Sequence, residues 1–181
     1  VGEADSISEN SVFTDVSCNG TCDGSASVTP TGGTAPYTFL WSSGANSSSV
    51  AGLCTGPISV TITDFNDCSK IINFTIGTPV ALTVSKVTTA TTCNGTCDGT
   101  ATVNPTGGVT NYTFQWNDPA AQTTKTATAL CPGTFTIIVT DANGCTNTTT
   151  ATVIGASQIL ANEITTNSTC GNADGTASVC A

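Results

Sequence analysis

Ten cysteines, twelve carboxylates and no histidine bound the chemistry open to this chain of 181 residues. General acid–base catalysis needs a histidine or a pair of carboxylates held together in a pocket. The acidic residues that recur, Asp23, Asp98 and Asp174 on one hand and Asp64 and Asp141 on the other, fall in turn-forming contexts. Serine and threonine are abundant, but no base is present to activate one as a nucleophile. These residues predict a chain that is not an enzyme. The cysteines point elsewhere. Their even number in each small unit, without histidine, is the arithmetic of disulfides in an oxidising compartment outside the cytoplasm. Cys18 and Cys22 have the spacing of a zinc half-site, yet the next two, Cys54 and Cys68, are split too widely to complete it.

Calcium is the other ion to weigh. Asp64, Asn66 and Asp67 in one place, and Asp141 and Asn143 in another, bring hard oxygens to a turn. No full loop of alternating Asp and Asn ending in Glu accompanies them. Asp64, Asp67 and Asp141 are therefore weak calcium candidates. Hairpin turns whose side chains bond their own backbone are the expectation, with no cofactor required.

Charge narrows the partners. The chain holds three lysines, no arginine, and a net charge of −9. A nucleic-acid partner requires a basic surface that releases counterions, so it is excluded. Docking on an anionic membrane is disfavoured for the same reason, and no apolar run is long enough to span a bilayer.

The elements that carry these residues repeat. Cys18-Asn-Gly-Thr-Cys22-Asp-Gly returns 75 positions later as Cys93-Asn-Gly-Thr-Cys97-Asp-Gly. Pro30-Thr-Gly-Gly33 returns as Pro105-Thr-Gly-Gly108, and Tyr37-Thr-Phe-Leu-Trp41 as Tyr112-Thr-Phe-Gln-Trp116. Leu53-Cys-Thr-Gly56 returns as Leu130-Cys-Pro-Gly133, and Thr63-Asp64 up to Cys68 as Thr140-Asp141 up to Cys145. The expected organisation is a first repeat over 1–77, a second over 78–155, and the opening of an incomplete third over 156–181. A tandem array of small units is built for reach or display.

Within each repeat the apolar residues alternate with period two, the signature of strands with one buried face. Ala26 and Val28 share a face, as do Ile58, Val60 and Ile62, and Ile72, Phe74 and Ile76. About seven short strands per unit, separated by Gly-Gly, Asn-Gly and Pro-Gly turns, predict a two-sheet sandwich. Tyr37, Phe39 and Trp41, with Tyr112, Phe114 and Trp116, are expected in the core. Their register with the core pattern favours this over a sugar-stacking platform.

The combined motifs resemble the SprB-type repeat of very large cell-surface adhesins of Bacteroidota, including those used in gliding motility. The resemblance extends over essentially the whole chain. Thr140-Asp-Ala-Asn-Gly-Cys145 follows the pattern closely, whereas Thr63-Asp-Phe-Asn-Asp-Cys68 departs from it at two positions. The resemblance implies an all-β chain of tandem immunoglobulin-like β-sandwich repeats stapled by disulfides. It also implies export through the type IX system and display outside the cell, attached to the outer membrane or on a secreted appendage. The expected role is a stalk or filament segment of an adhesin that attaches to surfaces or other cells. The alternative is a lectin-like repeat binding glycan through exposed loops. Expected partners are further repeats of the same polypeptide, identical chains in a bundle or filament, and a cell-surface glycan or other surface.

Four cysteines per repeat allow three pairings. The third copy keeps Cys170 but has no equivalent of Cys22, so Cys18 and Cys22 are expected in different bridges. The expected set is Cys18–Cys68 with Cys22–Cys54, and Cys93–Cys145 with Cys97–Cys131. Cys170 and Cys180 either bond each other or find partners outside this sequence, and an external partner is expected for Cys170.

Overall fold

The computed structural model describes residues 6–159, 162–166, 170 and 176–180, and among these every regular element is a strand. The first period gives β1 (Ser8–Thr14), β2 (Gly24–Thr31), β3 (Thr38–Trp41), β4 (Ser49–Leu53), β5 (Gly56–Thr63) and β6 (Ser69–Ile76). The second gives β7 (Thr83–Thr89), β8 (Gly99–Thr106), β9 (Thr113–Trp116), β10 (Thr126–Leu130), β11 (Gly133–Thr140) and β12 (Thr146–Val153). Two further strands, β13 (Asn162–Thr166) and β14 (Thr176–Cys180), pair antiparallel.

In the first period the sheets are ordered β1-β2-β4 and β3-β5-β6; the second repeats this as β7-β8-β10 and β9-β11-β12. That order matches strands A-B-E and C-F-G of an immunoglobulin sandwich with the D strand missing. Six strands rather than seven form because the link from β3 to β4 is short. Residues 42–48 turn straight back: Trp41 N–H donates to Ala45 O at 2.9 Å, and Val28 N–H to Ser48 O at 2.9 Å. No length remains for another strand.

The alternation read from the sequence sets the buried face. In β2, Ala26 and Val28 are buried while Ser25 and Ser27 are only partly covered. Val60 and Ile62 of β5 and Phe74 and Ile76 of β6 meet them from the other sheet, with Trp41 at 1% exposure. Burying an aliphatic side chain of this size contributes roughly 1.5–3 kcal/mol, which a unit this small needs. The equivalent Ala101, Val103, Trp116, Ile137, Val139, Ala151 and Val153 are also buried.

The six aromatics expected in the core divide into two groups. Trp41 and Trp116 are fully buried, and their indole N–H groups donate to Ser47 O at 2.8 Å and Thr124 O at 2.9 Å. Trp41 stacks on Phe74 with ring centroids 5.8 Å apart. Tyr37, Phe39, Tyr112 and Phe114 are half-buried, and Tyr37 and Phe39 pack against the margin of the core. The tyrosines lie at the rim because each hydroxyl reaches back to a turn. Tyr37 donates to Gly32 O at 2.5 Å and Tyr112 to Gly107 O at 2.6 Å.

By contact the chain divides into two compact units. One joins Val1–Ser85 with Asn104–Phe114 and Ile138–Thr149; the other joins Lys86–Val103, Gln115–Ile137 and Thr150–Ala181.

Candidate functional site

Two local devices, each present twice, hold the cysteines. The first is the loop between the opening strands. Asp23 Oδ1 accepts from Ser17 N–H at 2.9 Å, and Thr21 Oγ1 accepts from Cys18 N–H at 3.2 Å. The Thr21 hydroxyl sits 2.9 Å from both Cys18 O and Asp23 Oδ1, and Thr21 N–H returns to Cys18 O at 3.2 Å. Gly24 follows because a Cβ there would lie 2.8 Å from Ile76 Cγ2. In the second copy Asp98 Oδ1 accepts from Thr92 N–H at 3.0 Å, and Thr96 Oγ1 from Cys93 N–H at 3.2 Å. These bonds hold both carboxyls below the ordinary aspartate range. The Ser17 side chain leads for Asp23, followed by the Ser17 N–H and Thr21; the Thr92 side chain leads for Asp98, followed by the Thr92 N–H, with Thr96 adding to them.

The second device is an aspartate turn. Asp64 Oδ1 accepts from Asn66 N–H and Cys68 N–H, both at 2.9 Å, while Oδ2 accepts from Thr34 N–H at 3.0 Å. Asp141 does the same: Oδ1 accepts from Asn143 N–H and Cys145 N–H at 2.9 Å, and Oδ2 from Val109 N–H at 2.9 Å. The N–H of Thr34 is foremost in lowering the Asp64 carboxyl, against an opposing effect of burial; Val109 has that role at Asp141. Both oxygens of each buried carboxylate are thus committed to backbone donors. Asp67 is an exposed turn residue with φ of 63°. Among the described residues no group of three potential ligands converges on a metal position. Asp64, Asp67 and Asp141 shape turns.

The bridges follow strand adjacency, with one exception. Cys22 precedes β2 and Cys54 follows β4; Gly24 pairs with Leu53 across those neighbouring strands, and Cys22 is bonded to Cys54. Gly99 pairs with Leu130 in the same way, and Cys97 is bonded to Cys131. The other two expected bridges are corrected. Cys18 is bonded to Cys145, 127 residues away, in place of the expected Cys18–Cys68 and Cys93–Cys145. Cys68, Cys93 and Cys170 are free and exposed. The side chain of Cys180 lies outside the described residues.

Strand length explains the correction. Val16 N–H bonds Gly77 O at 3.2 Å and Asp15 Oδ1 accepts from Gly77 N–H at 2.7 Å, so the Cys18 loop adjoins the end of β6. Cys68 adjoins its start. The eight residues of β6 put about 25 Å between them at ~3.3 Å per residue, far beyond the Cα separation a disulfide spans. β12, also of eight residues, starts beside Cys145 and ends near Ile154, whose carbonyl accepts from Thr91 N–H two residues before Cys93.

Cys145 reaches Cys18 within a wider clasp. Asn143 Nδ2 donates to Ser17 O at 3.1 Å, and Asn19 Nδ2 to Pro79 O at 3.3 Å. Cys18, Asn19, Ala81, Leu82, Gly144, Cys145 and Thr146 line a cavity of about 310 Å³. The residues that make the clasp all lie in the first compact unit.

The sequence reading did not single out Asp118. Its Oδ1 accepts from Gln122 N–H at 2.9 Å, and its Oδ2 from Gln122 Nε2 at 2.9 Å and Ala120 N–H at 3.1 Å. Burial pushes this carboxyl up, but the Gln122 and Ala120 donors outweigh it and the net shift is downward. Asp118 lies in the stretch between Trp116 and Leu130, which is two residues longer than that between Trp41 and Leu53, and repeat comparison is blind to it.

Residues 10–46 and 85–121 match the family model described as the SprB repeat. No curated protein matches the sequence. Among solved structures, the chain is similar to a C-terminal 282-residue fragment of intimin in complex with the intimin-binding domain of the translocated intimin receptor. The identity is 18%, over 82% of this chain and 64% of that fragment, with a TM-score of 0.44. It is also similar to the amphioxus IgVJ-C2 molecule, at 12% identity over 80% of this chain and 96% of that one, with a TM-score of 0.32.

Proposed function

From the match of residues 10–46 and 85–121 to the SprB repeat, we propose a non-catalytic structural segment of an exported, cell-surface adhesin. In this reading it forms part of the stalk or filament that presents the adhesin for attachment to surfaces or other cells. The observation that carries the reading is the Cys18–Cys145 bridge between tandem repeats. A stalk must transmit tension without unravelling, and a covalent tie from one sequence repeat to the next limits how far the chain can be drawn out. Glycan binding through a shared aromatic platform has less support, since Trp41 and Trp116 are buried with their N–H groups occupied.

Single-molecule pulling from the two ends of the chain tests the proposal. The bridge removes 127 residues from the extensible length. Full extension under oxidising conditions should therefore fall short of that after reduction by about 440 Å, at ~3.5 Å per residue. Equal extensions in the two conditions would overturn the stalk mechanism. Antibody against the chain that bound only after cells were lysed would overturn the surface location.

A further inference from the structure

Cys68 and Cys93 are the two free thiols of the complete repeats, and they occupy the positions equivalent to Cys145 and Cys18. Each is already held as its bonded equivalent is held. The Cys93 loop repeats the bonds that shape the Cys18 loop: the cysteine N–H meets the threonine Oγ1 at 3.2 Å in both. The threonine N–H returns to the cysteine carbonyl at 3.2 Å in one and 3.3 Å in the other. The aspartate that fixes the loop accepts from the residue before the cysteine at 2.9 Å and 3.0 Å.

The same holds for the aspartate turns. Cys68 N–H and Cys145 N–H each meet their aspartate at 2.9 Å, and each cysteine carbonyl accepts from that aspartate's own N–H at 2.9 Å. Neither shape therefore depends on the disulfide. Exposed unpaired thiols are out of place in a chain six of whose cysteines are joined in disulfides, and call for a partner elsewhere.

We infer that Cys93 and Cys68 are open halves of further repeat-to-repeat disulfides. Cys93 accepts the aspartate-turn cysteine of a following repeat, and Cys68 the loop cysteine of a preceding one. The rule is that the first cysteine of one repeat bonds the fourth cysteine of the next, while the second and third bond each other within the repeat. Forming each such bond removes two thiol protons and two electrons, taken up by a disulfide donor through thiol–disulfide exchange. The partner is thus another copy of this repeat bearing a Thr-Asp-x-Asn-x-Cys turn. The inference goes beyond the stalk proposal, because it concerns how repeats are joined, whatever the array adheres to.

The test is a lengthened chain: all 181 residues, with a second copy of residues 78–155 inserted after Gly155. Thr110→Ser and Thr148→Ser changes in the inserted copy mark by mass its peptides that carry Cys93 and Cys145, so that Cys93 otherwise means the unmarked one. Free thiols are alkylated before reduction, and peptides are mapped without reduction. Cys18 is expected to be joined to the unmarked Cys145, and Cys93 to the marked one. Cys93 should thus lose the alkylation that it shows in the original chain.

A Cys93→Ser change in the lengthened chain should leave the marked Cys145 alkylated, without disturbing Cys18–Cys145. Three results would each overturn the rule: Cys93 still alkylated in the lengthened chain, Cys93 bonded to a cysteine of its own repeat, or the marked Cys145 still bonded in the Cys93→Ser variant. None of them bears on the surface location, which the antibody experiment decides separately.

Discussion

Cys18 is joined to Cys145 of the other repeat, although Cys68 holds the equivalent place in its own. The fourth cysteine of a repeat sits where β6 begins and the first beside the place where β6 ends, so one repeat cannot close the bond upon itself. A fixed strand length thereby turns a potential staple within one sequence repeat into a tie from one repeat to the next.

Removing that tie should cost more than removing either local bridge. The loop-entropy account gives about 5 kcal/mol for the 127-residue separation, against about 3.7 kcal/mol for the 32 residues of Cys22–Cys54. Cys18→Ser and Cys145→Ser should lower the denaturant midpoint alike, and the double variant no further than either alone. Additive losses in the double variant would mean that the two residues do not share a bond.

Stability should fall on the acid side. The carboxyls of Asp64, Asp141, Asp23, Asp98 and Asp118 lie below their ordinary range in the folded chain. As pH drops, the unfolded chain takes up these protons first. Their contribution is complete above the unfolded value of about 3.9, and is lost as pH falls through the depressed folded values. Denaturant midpoints measured from pH 7 down to pH 2 should be level at first and then decline. Asp141→Asn should flatten the decline. A variant with the acid limb of the parent would remove Asp141 from the account.

Trp41→Ala should be among the costliest core changes, at about 3–5 kcal/mol. It empties a site with 1% exposure, strips Phe74 of its stacking partner and leaves Ser47 O without its donor. Trp41→Phe keeps most of the volume and loses the hydrogen bond, so its cost should fall well below that of alanine. Thermal unfolding of both variants distinguishes packing from hydrogen bonding.

Gly99→Ala should destabilise by about 1–3 kcal/mol through overpacking. An added Cβ would lie 2.4 Å from Val153 Cγ1 and 3.0 Å from Leu130 O. Pairing it with Val153→Ala frees the side-chain contact, and part of the loss should return. A double variant showing the full sum of the two losses would place the clash at the Leu130 carbonyl instead.

The sequence by itself determined the alternating strand pattern, its buried faces and the tandem repeat, because these rest on local rules, while the number of strands, six and not seven per repeat, awaited the structure. A period of two puts Ala26 with Val28, and Val60 with Ile62, on the inner face whatever the strands pack against. Motif identity between copies likewise forces Asp64 and Asp141 into the same turn. Only the tertiary structure decided the partner of Cys18, since proximity in space depends on which end of an eight-residue strand each cysteine occupies. It also decided the role of Asp118, which has no equivalent in the first repeat to draw notice. The depth of the aromatics was settled in the same way. Tyr37, Phe39 and Trp41 share one face of the sequence pattern, yet only Trp41 is enclosed, because the tyrosine hydroxyl reaches the Gly32 carbonyl at the rim while the indole N–H finds Ser47 O from within.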